Sequence, residues 1–277
     1  SALVAAAAGI RPLVTMSWGS DLLMEARRGT GKWAARYTLA RSTLFLCDCQ
    51  TVRRAAGDLG MPAGRSIIFP WGVDLAQFSP GRGAGLRRRL GWQTATVLLS
   101  ARAWEPLYGV DDMLDGFVRA AARRPDLRLL LLGEGSLRPR LLATIAATGM
   151  QDRIHLAGRV DEMDLPGFFR DADLYVTASH SDGSSVTLLQ AMACGLPAIA
   201  SDIPSNAEWV DDATGWRFRA GDAADLAGVI LAASALPAAV RLRGRGAHQA
   251  VVARADWERN TSMLPDVYRY ALHLERS

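Results

Sequence analysis

The chain has 277 residues and a formal net charge of +4, and 49% of its residues are hydrophobic and 22% charged. This length accommodates one large or two medium domains, and the composition is ordinary for a globular α/β enzyme. No run of about 18 uncharged apolar residues occurs, which argues against a membrane span. The apolar opening at residues 2–8 lacks the basic leader of a signal peptide.

The first 80 residues alternate short apolar strands with helical sequence. We predict strands at residues 13–16, 43–46 and 66–69, and a helix at residues 32–41. The Gly- and Pro-rich run at residues 79–85 then predicts a linker.

After the linker the alternation becomes more regular. We predict strands at 96–101, 127–132, 153–156, 173–177 and 198–201, and helices at 110–123, 137–148, 164–170 and 186–193. Near-continuous apolar strands, each followed by a helix, predict a parallel sheet covered on both faces. Beyond Trp216 the sequence is mostly helical.

Three loops follow predicted strands at the edge where such sheets bind ligands. They lie at residues 101–109, 133–136 and 179–185. The third leads into the helix at 186–193, whose first amides and dipole favour an anion. The sequence therefore predicts a site for a phosphate-bearing ligand at this edge.

Several side chains in these loops have both a functional and a structural interpretation. Arg102 can fork two phosphate oxygens, or it can pair at the surface with Glu105. Asp182 can accept from sugar hydroxyls, and it can also cap the helix that follows. Gln190 can bond a ribose diol or be a half-buried helix residue, and we interpret His180 as a structural donor.

The cysteines and arginines restrict the class of protein further. Cys47, Cys49 and Cys194 are too few for a disulfide framework, and Cys47-Asp48-Cys49 lacks zinc-site spacing, so we interpret them as reduced core thiols. Arginine clusters occur at residues 87–89, at 119, 123 and 124, and at 241, 243 and 245. No nucleic-acid motif accompanies them, which leaves solvated helix faces or contact with anionic lipid as interpretations.

The run from Asp182 to Pro197 resembles the acidic-x7-acidic signature of the retaining GT-B glycosyltransferases of group 1, a glycogen-synthase-like family. Other segments agree with that family in order and spacing, and the resemblance covers nearly the whole chain from about Pro12. They are Ile68–Asp74 with Phe78, Ser100–Arg102, Leu132–Gly135, Ile154–Val160 and Phe169–Leu174.

The resemblance implies an α/β protein of the GT-B fold, with two Rossmann-like domains built on parallel sheets. It divides the chain into a partial N-terminal, acceptor-side domain at 1–80, a nucleotide-sugar-binding domain at 81–255, and a helical segment at 256–277 that returns toward the first domain. The part before the linker is shorter than in complete members, so we expect an N-terminally truncated fragment.

The function implied by the resemblance is transfer of a sugar from a UDP-, GDP- or ADP-linked donor to a glycan or lipid-linked acceptor, with retention of anomeric configuration. The resemblance implies neither a metal nor a separate cofactor, because arginine and helix-terminal amides take the place of the metal. We expect a cytoplasmic protein with no nucleic-acid partner, and contact with the inner face of an anionic membrane stays open.

The resemblance also implies a role for each site residue. Arg102 and the amides of residues 183–185 would hold the diphosphate, Asp182 the donor sugar and Gln190 the ribose, with Asp182 and Arg102 as the catalytic residues. The enzyme would act mainly by positioning and by stabilising charge on the leaving diphosphate. The full predicted set is Arg102, Gly133, Glu134, Gly135, Arg159, Val160, Asp182, Gly183, Ser184, Ser185 and Gln190.

Four positions differ from the usual family residue. Asp182 replaces Glu, Gln190 replaces the second acid, Tyr108 stands where a Lys is usual, and Trp18 stands where many relatives carry His. These changes, with the truncation, also suit a non-catalytic nucleotide-sugar-binding module. A GT-B nucleotide-sugar epimerase is a further alternative, although such enzymes keep catalytic acids and a His that have no match here.

Overall fold

A computed structural model describes residues 2–276, in which parallel strands alternate with helices. The strands are β1 (Val14–Ser17), β2 (Leu44–Cys47), β3 (Ser66–Ile68), β4 (Thr96–Ala101), β5 (Leu127–Leu132), β6 (Ile154–Gly158), β7 (Leu174–Thr177), β8 (Ala198–Ser201) and β9 (Gly215–Phe218).

The α-helices, interspersed with three short 3₁₀ turns in the described residues, begin and end as follows. They are α1 (Ala2–Ala7), α2 (Ser20–Leu23), α3 (Gly29–Arg41), α4 (Gln50–Asp58), α5 (Leu86–Arg89), α6 (Val110–Arg123), α7 (Arg138–Thr148), α8 (Leu165–Arg170), α9 (Val186–Ala193), α10 (Pro204–Ala207), α11 (Ala223–Ser234), α12 (Pro237–Arg254), α13 (Trp257–Ser262) and α14 (Leu264–Arg276).

Contacts divide the described chain into two units. The first contains the chain up to Gly72, the short segment Ser181–Ser185, and the chain from Ala255 onward. The second contains Val73–His180 and Val186–Arg254. This division differs from the predicted boundary at residue 80, because the predicted linker packs on the second unit. There the Arg170 guanidinium donates to the carbonyls of Ser79 at 2.7 Å and Gln77 at 2.9 Å.

The first unit is built on a three-stranded parallel sheet in the order β1-β2-β3. The central strand β2 is buried on both faces, as its uninterrupted apolar sequence requires. On one face Phe45 and Cys47 pack into a cluster with residues of α2 and α4. On the other, Leu44 and Leu46 pack against Val267 and Ala271 of α14.

The second unit is built on a six-stranded parallel sheet in the order β6-β5-β4-β7-β8-β9. The predicted α/β architecture with helix-covered parallel strands is therefore confirmed. Chain order runs outward from β4 in one direction and from β7 in the other, so the strand order reverses between these two strands. In open α/β sheets such a reversal leaves a crevice beyond the carboxyl ends of the strands, where ligands bind.

Most strands of the second sheet were predicted from the sequence, but some other elements were not. The predicted bounds of β4, β5, β8, α6 and α9 are those observed. β9 was not predicted, because its four residues, Gly-Trp-Arg-Phe, lack an apolar run. α4 was also missed, since Arg53 and Arg54 interrupt its apolar pattern and Gly57 is a weak helix former.

Over residues 2–276, no single helix has both the length and the apolar character needed to cross a membrane. The pair α11 and α12 satisfies the two criteria only when taken together, across a bend of 100°.

Candidate functional site

A cavity of about 300 Å³ opens at the carboxyl ends of β4, β5 and β6 in the second unit. Its lining includes residues that follow each of these strands. Five of the predicted site residues are among them: Arg102, Gly133, Glu134, Arg159 and Val160. They come together because parallel strands place their carboxyl ends at one edge of the sheet.

The glycine turn after β5 packs closely on the loop after β4. A Cβ on Gly133, which has a φ of +121°, would lie 2.3 Å from the Arg102 carbonyl oxygen. A Cβ on Gly135 would lie 2.4 Å from the Trp104 carbonyl oxygen. The Trp104 amide in turn donates to the Glu134 carbonyl at 2.8 Å. Glycine is therefore required in this turn because the two backbones approach closely, whether or not the turn also holds a ligand.

Arg102 is oriented by an aromatic ring and a threonine. Its guanidinium carbon lies 4.0 Å from the centre of the Tyr108 ring, a cation–π contact. Its Nη1 donates to Thr187 Oγ1 at 3.5 Å, and Thr187 is also hydrogen-bonded to the Tyr175 hydroxyl at 2.9 Å. The sequence showed Tyr108 only as the absence of a second cation. The structure shows that its ring is a platform for the first cation.

Glu105, the alternative partner predicted for Arg102, is engaged by the glycine turn. Its carboxylate accepts hydrogen bonds from the Ser136 hydroxyl and from the Ser136 amide, the latter at 2.8 Å. These two bonds hold the pKa of Glu105 below its usual value. Glu105 therefore fastens the loop after β4 to the turn after β5, at the rim of the cavity.

Of the predicted anion loop at residues 179–185, the segment 181–185 belongs to the first unit. Gly183, Ser184 and Ser185 are buried and Asp182 is half-buried. The Ser184 amide, which the resemblance assigns to a diphosphate, donates instead to Asp48 Oδ2 at 2.7 Å. The sequence analysis missed Asp48 as a site residue. Its position directly after a buried apolar strand was the available signal.

Gln190 and His180 lie in the second unit. Gln190, in α9, is buried, and within residues 2–276 its Oε1 has no hydrogen-bond partner. His180 Nε2 lies 3.1 Å from Asp112 Oδ2, and the His180 amide donates to the Leu107 carbonyl. Burial raises the pKa of Asp112, and His180 opposes that shift. His180 thus holds loop and helix together, as a structural side chain does.

Two tryptophans of the first unit form an aromatic pair. Trp18 stacks on Trp71 with ring centres 4.1 Å apart, and Phe69 meets the Trp71 ring edge-on. Trp18 is 63% exposed, so a broad apolar ring surface stays open to solvent. The resemblance places Trp18 where many relatives carry His, and an open ring of this kind can stack on the apolar face of a sugar or a base.

The described residues 2–276 contain no group of three His, Cys, Asp or Glu side chains that could hold a metal ion. The expectation of metal independence stays a prediction. The three cysteines are buried, as predicted for core thiols, and form no disulfide within residues 2–276. Burial raises the pKa of the Cys194 thiol to about 11, which disfavours the reactive thiolate.

Comparison with known proteins shows the family to which the chain belongs. Residues 94–235, just over half of the chain, match the family model of the glycosyl transferases group 1. A D-inositol 3-phosphate glycosyltransferase of Thermobispora bispora is 36% identical over 152 residues, which cover 51% of this chain and 36% of that protein. The enzyme of the same name from Saccharomonospora viridis is 31% identical over 212 residues, which cover 73% and 49%. The chain thus spans about a third to a half of these relatives.

The fold is also similar to that of solved structures. The crystal structure of Anabaena Alr3699/HepE in complex with UDP has a TM-score of 0.86 to this chain. The match covers 97% of this chain and 76% of that one, at 19% sequence identity. At this identity the likeness concerns the fold alone.

Proposed function

Because the chain belongs to the glycosyl transferases group 1 family, we propose that it transfers a sugar from a nucleotide-diphosphate sugar to an acceptor. We further propose that the reaction retains the anomeric configuration and needs no metal, that the acceptor is a glycan or a lipid-linked molecule, and that the protein acts in the cytoplasm. The observation that carries the proposal is the cavity of about 300 Å³ with Arg102 in its wall.

The main catalytic role that we propose for the cavity is stabilisation of negative charge by Arg102. A guanidinium fork matches the oxygens of a phosphate, and in a fixed position it stabilises charge that develops on a leaving diphosphate. The contacts to Tyr108 and Thr187 hold Arg102 in place before any ligand arrives. Such preorganisation reduces the reorganisation that transfer would otherwise require.

The remaining assignments in the cavity follow from its lining. Gly133, Glu134, Arg159 and Val160 surround the space in which we propose that the base binds. Outside this lining, Gln190 offers for a ribose hydroxyl a buried Oε1 that has no hydrogen-bond partner within residues 2–276. The roles of Asp182 on the donor sugar and of the residue 183–185 amides on the diphosphate stay predictions from the resemblance. Of these amides, that of Ser184 already donates to Asp48.

Calorimetric titration with UDP, GDP and ADP tests the proposal. One of the three should bind, and Arg102→Ala should weaken binding by about 1.5–3 kcal/mol, as expected for hydrogen bonds to a charged group. Arg140→Ala is the matched control, since Arg140 is an exposed arginine of the same unit outside the cavity lining. If none of the three nucleotides binds, the proposal is wrong.

A non-catalytic nucleotide-sugar-binding module is the second candidate, favoured by the uncharged residues Gln190 and Tyr108. Donor hydrolysis and transfer assays separate the two functions. Binding of the nucleotide without turnover of any donor sugar would favour the module.

We also propose peripheral contact with an anionic membrane, through α3 rather than through the arginine clusters named from the sequence. In those clusters Arg87 pairs with Asp173 at 2.6 Å, Arg124 with Asp126 at 2.9 Å, and Arg243 stacks on Trp216. α3 contains Lys32, Arg36 and Arg41 and no acidic residue.

Aromatic side chains accompany these cations on α3. Trp33 is 61% exposed and stacks on Tyr37, and Arg41 lies over the Tyr37 ring at 3.6 Å. An exposed tryptophan among basic residues suits the interface between lipid headgroups and water. Lys32→Glu with Arg36→Glu should reduce sedimentation with phosphatidylglycerol vesicles about tenfold or more. Arg241→Glu with Arg245→Glu, an exposed pair on α12, should not, and equal losses would contradict the proposal.

A further inference from the structure

Asp48 is a buried carboxylate at the carboxyl end of a central strand. It follows β2 directly and is 2% exposed. It lies outside the helix that comes next, since the N-cap of α4 is Cys49. Buried carboxylates are costly unless hydrogen-bonded, so the partners of Asp48 indicate why it is there.

One of those partners is the next residue, Cys49, and the other is Ser184 in the loop that carries Asp182. Asp48 Oδ2 accepts the Ser184 amide at 2.7 Å, and the Asp48 carbonyl accepts the Ser184 hydroxyl at 3.1 Å. Two bonds from one residue to the backbone and side chain of another fix both the position and the orientation of Ser184. Hydrogen bonds to a charged acceptor are about twice as strong as neutral ones.

Glycines allow the loop to approach this closely. A Cβ on Gly183 would lie 2.3 Å from Asp48 Oδ2, and a Cβ on Gly19 would lie 2.7 Å from the Gly183 nitrogen. Gly19 and Asp48 are neighbours because β1 and β2 pair in parallel with Ser17 opposite Cys47, so both residues follow the same end of the sheet. The loop therefore packs against residues that follow both β1 and β2.

We infer that Asp48 is a positioning residue that holds residues 181–185, and with them Asp182, in the geometry that sugar transfer uses. The catalytic consequence of this role rests on the proposed function, whereas the seating of the loop does not. Asp182 is half-buried two residues before the Ser184 anchor, so displacement of Ser184 would move its carboxylate as well.

Amide hydrogen exchange measured by NMR tests the seating directly, with or without enzyme activity. In Asp48→Ala the Ser184 amide should exchange about 10- to 150-fold faster, the factor that corresponds to loss of a hydrogen bond to a charged group. Asp48→Asn keeps an acceptor oxygen at the same place and should restore most of the protection. Ser184→Ala is the matched control, because it keeps the hydrogen bond from the residue 184 amide to Asp48 and loses only the hydrogen bond from the hydroxyl. Unchanged exchange at residue 184 in folded Asp48→Ala would overturn the inference.

Steady-state kinetics tests the catalytic consequence. In Asp48→Ala, kcat should fall about 10- to 150-fold, because the Asp182 carboxylate is displaced. Nucleoside diphosphate affinity should fall by a smaller factor, because Arg102 and the cavity are intact. Asp48→Asn should recover most of kcat. A role in stability alone would lower the unfolding temperature and leave kcat of the folded protein unchanged, and that result would overturn the catalytic part.

The two proposals fail in different ways. If no variant, including the parent protein, turns over a donor sugar, the proposed transfer fails and the exchange experiment still decides the seating of the loop. If the parent protein is active and folded Asp48→Ala is equally active, the proposed transfer stands and the positioning role is wrong.

Discussion

The cavity of the second unit and the loop at residues 181–185 are held in place in different ways. The cavity is formed by loops that follow three strands of one sheet and fasten to each other through the Trp104 amide and Glu105. The loop is held by Asp48 and Gly19, which are far from it in sequence. Residues gathered by a single sheet edge can be recognised from the order of strands, whereas a loop anchored by a distant segment cannot.

The largest effect should come from a glycine of the cavity. Gly133→Ala places a Cβ 2.3 Å from the Arg102 carbonyl at a φ of +121°, so we expect the free energy of unfolding to fall by about 3–5 kcal/mol. Gly149→Ala is the control, because Gly149 also has a positive φ of +66° but no atom within 4 Å of an added Cβ. Gly149→Ala should lower the free energy of unfolding, measured with denaturant, by about 1–2 kcal/mol. Equal losses would mean that close approach does not shape the cavity.

The corresponding change in the loop should depend on Asp48. Gly183 lies outside the left-handed region, so the cost of Gly183→Ala comes from contact with the Asp48 carboxylate. We expect a loss of about 1–3 kcal/mol in the free energy of unfolding. In an Asp48→Ala background the added methyl group has room, and most of this loss should disappear. A double-mutant cycle with additive effects would contradict the contact.

A smaller effect is expected from the platform under Arg102. Tyr108→Leu removes the aromatic face and should weaken nucleoside diphosphate binding by about 0.5–2 kcal/mol in calorimetry. Tyr108→Phe keeps the ring and should bind nearly as the parent protein does. If Phe and Leu weaken binding equally, the hydroxyl and not the ring is what matters at this position.

The smallest effect is a pH dependence of stability. Burial raises the pKa of Asp48 above its ordinary value of 3.8, the charge of Asp182 adds to the shift, and the Ser184 amide opposes it. A raised folded-state pKa means that the contribution of Asp48 to stability is fully present below pH 3.8 and declines as pH rises through the folded-state value.

Asp48→Asn removes the titrating group. Its free energy of unfolding relative to the parent protein should therefore improve as pH rises from about 4 to about 7. Asp58→Asn, at an exposed aspartate on α4, serves as the reference variant. A relative stability of Asp48→Asn that is independent of pH, or that worsens, would contradict the assignment.

Much of the second sheet and its ligand-binding edge could be predicted from the apolar sequences of β4 and β5. Their continuous Leu and Val content indicates strands buried on both faces, and their ends place Arg102 and Gly133 at one edge. The contacts of Tyr108 and Asp48 could not be predicted, because tertiary packing determines them. Nothing in Cys47-Asp48-Cys49 indicates that the carboxylate would meet an amide 136 residues away.

The most direct test of the central claim is a crystal structure of the protein with the nucleoside diphosphate that binds most tightly. We predict phosphate oxygens within hydrogen-bond distance of the Arg102 guanidinium and the base in the cavity lined by Gly133 and Val160. A nucleotide bound elsewhere, with Arg102 still on Tyr108 and no phosphate against it, would contradict the account.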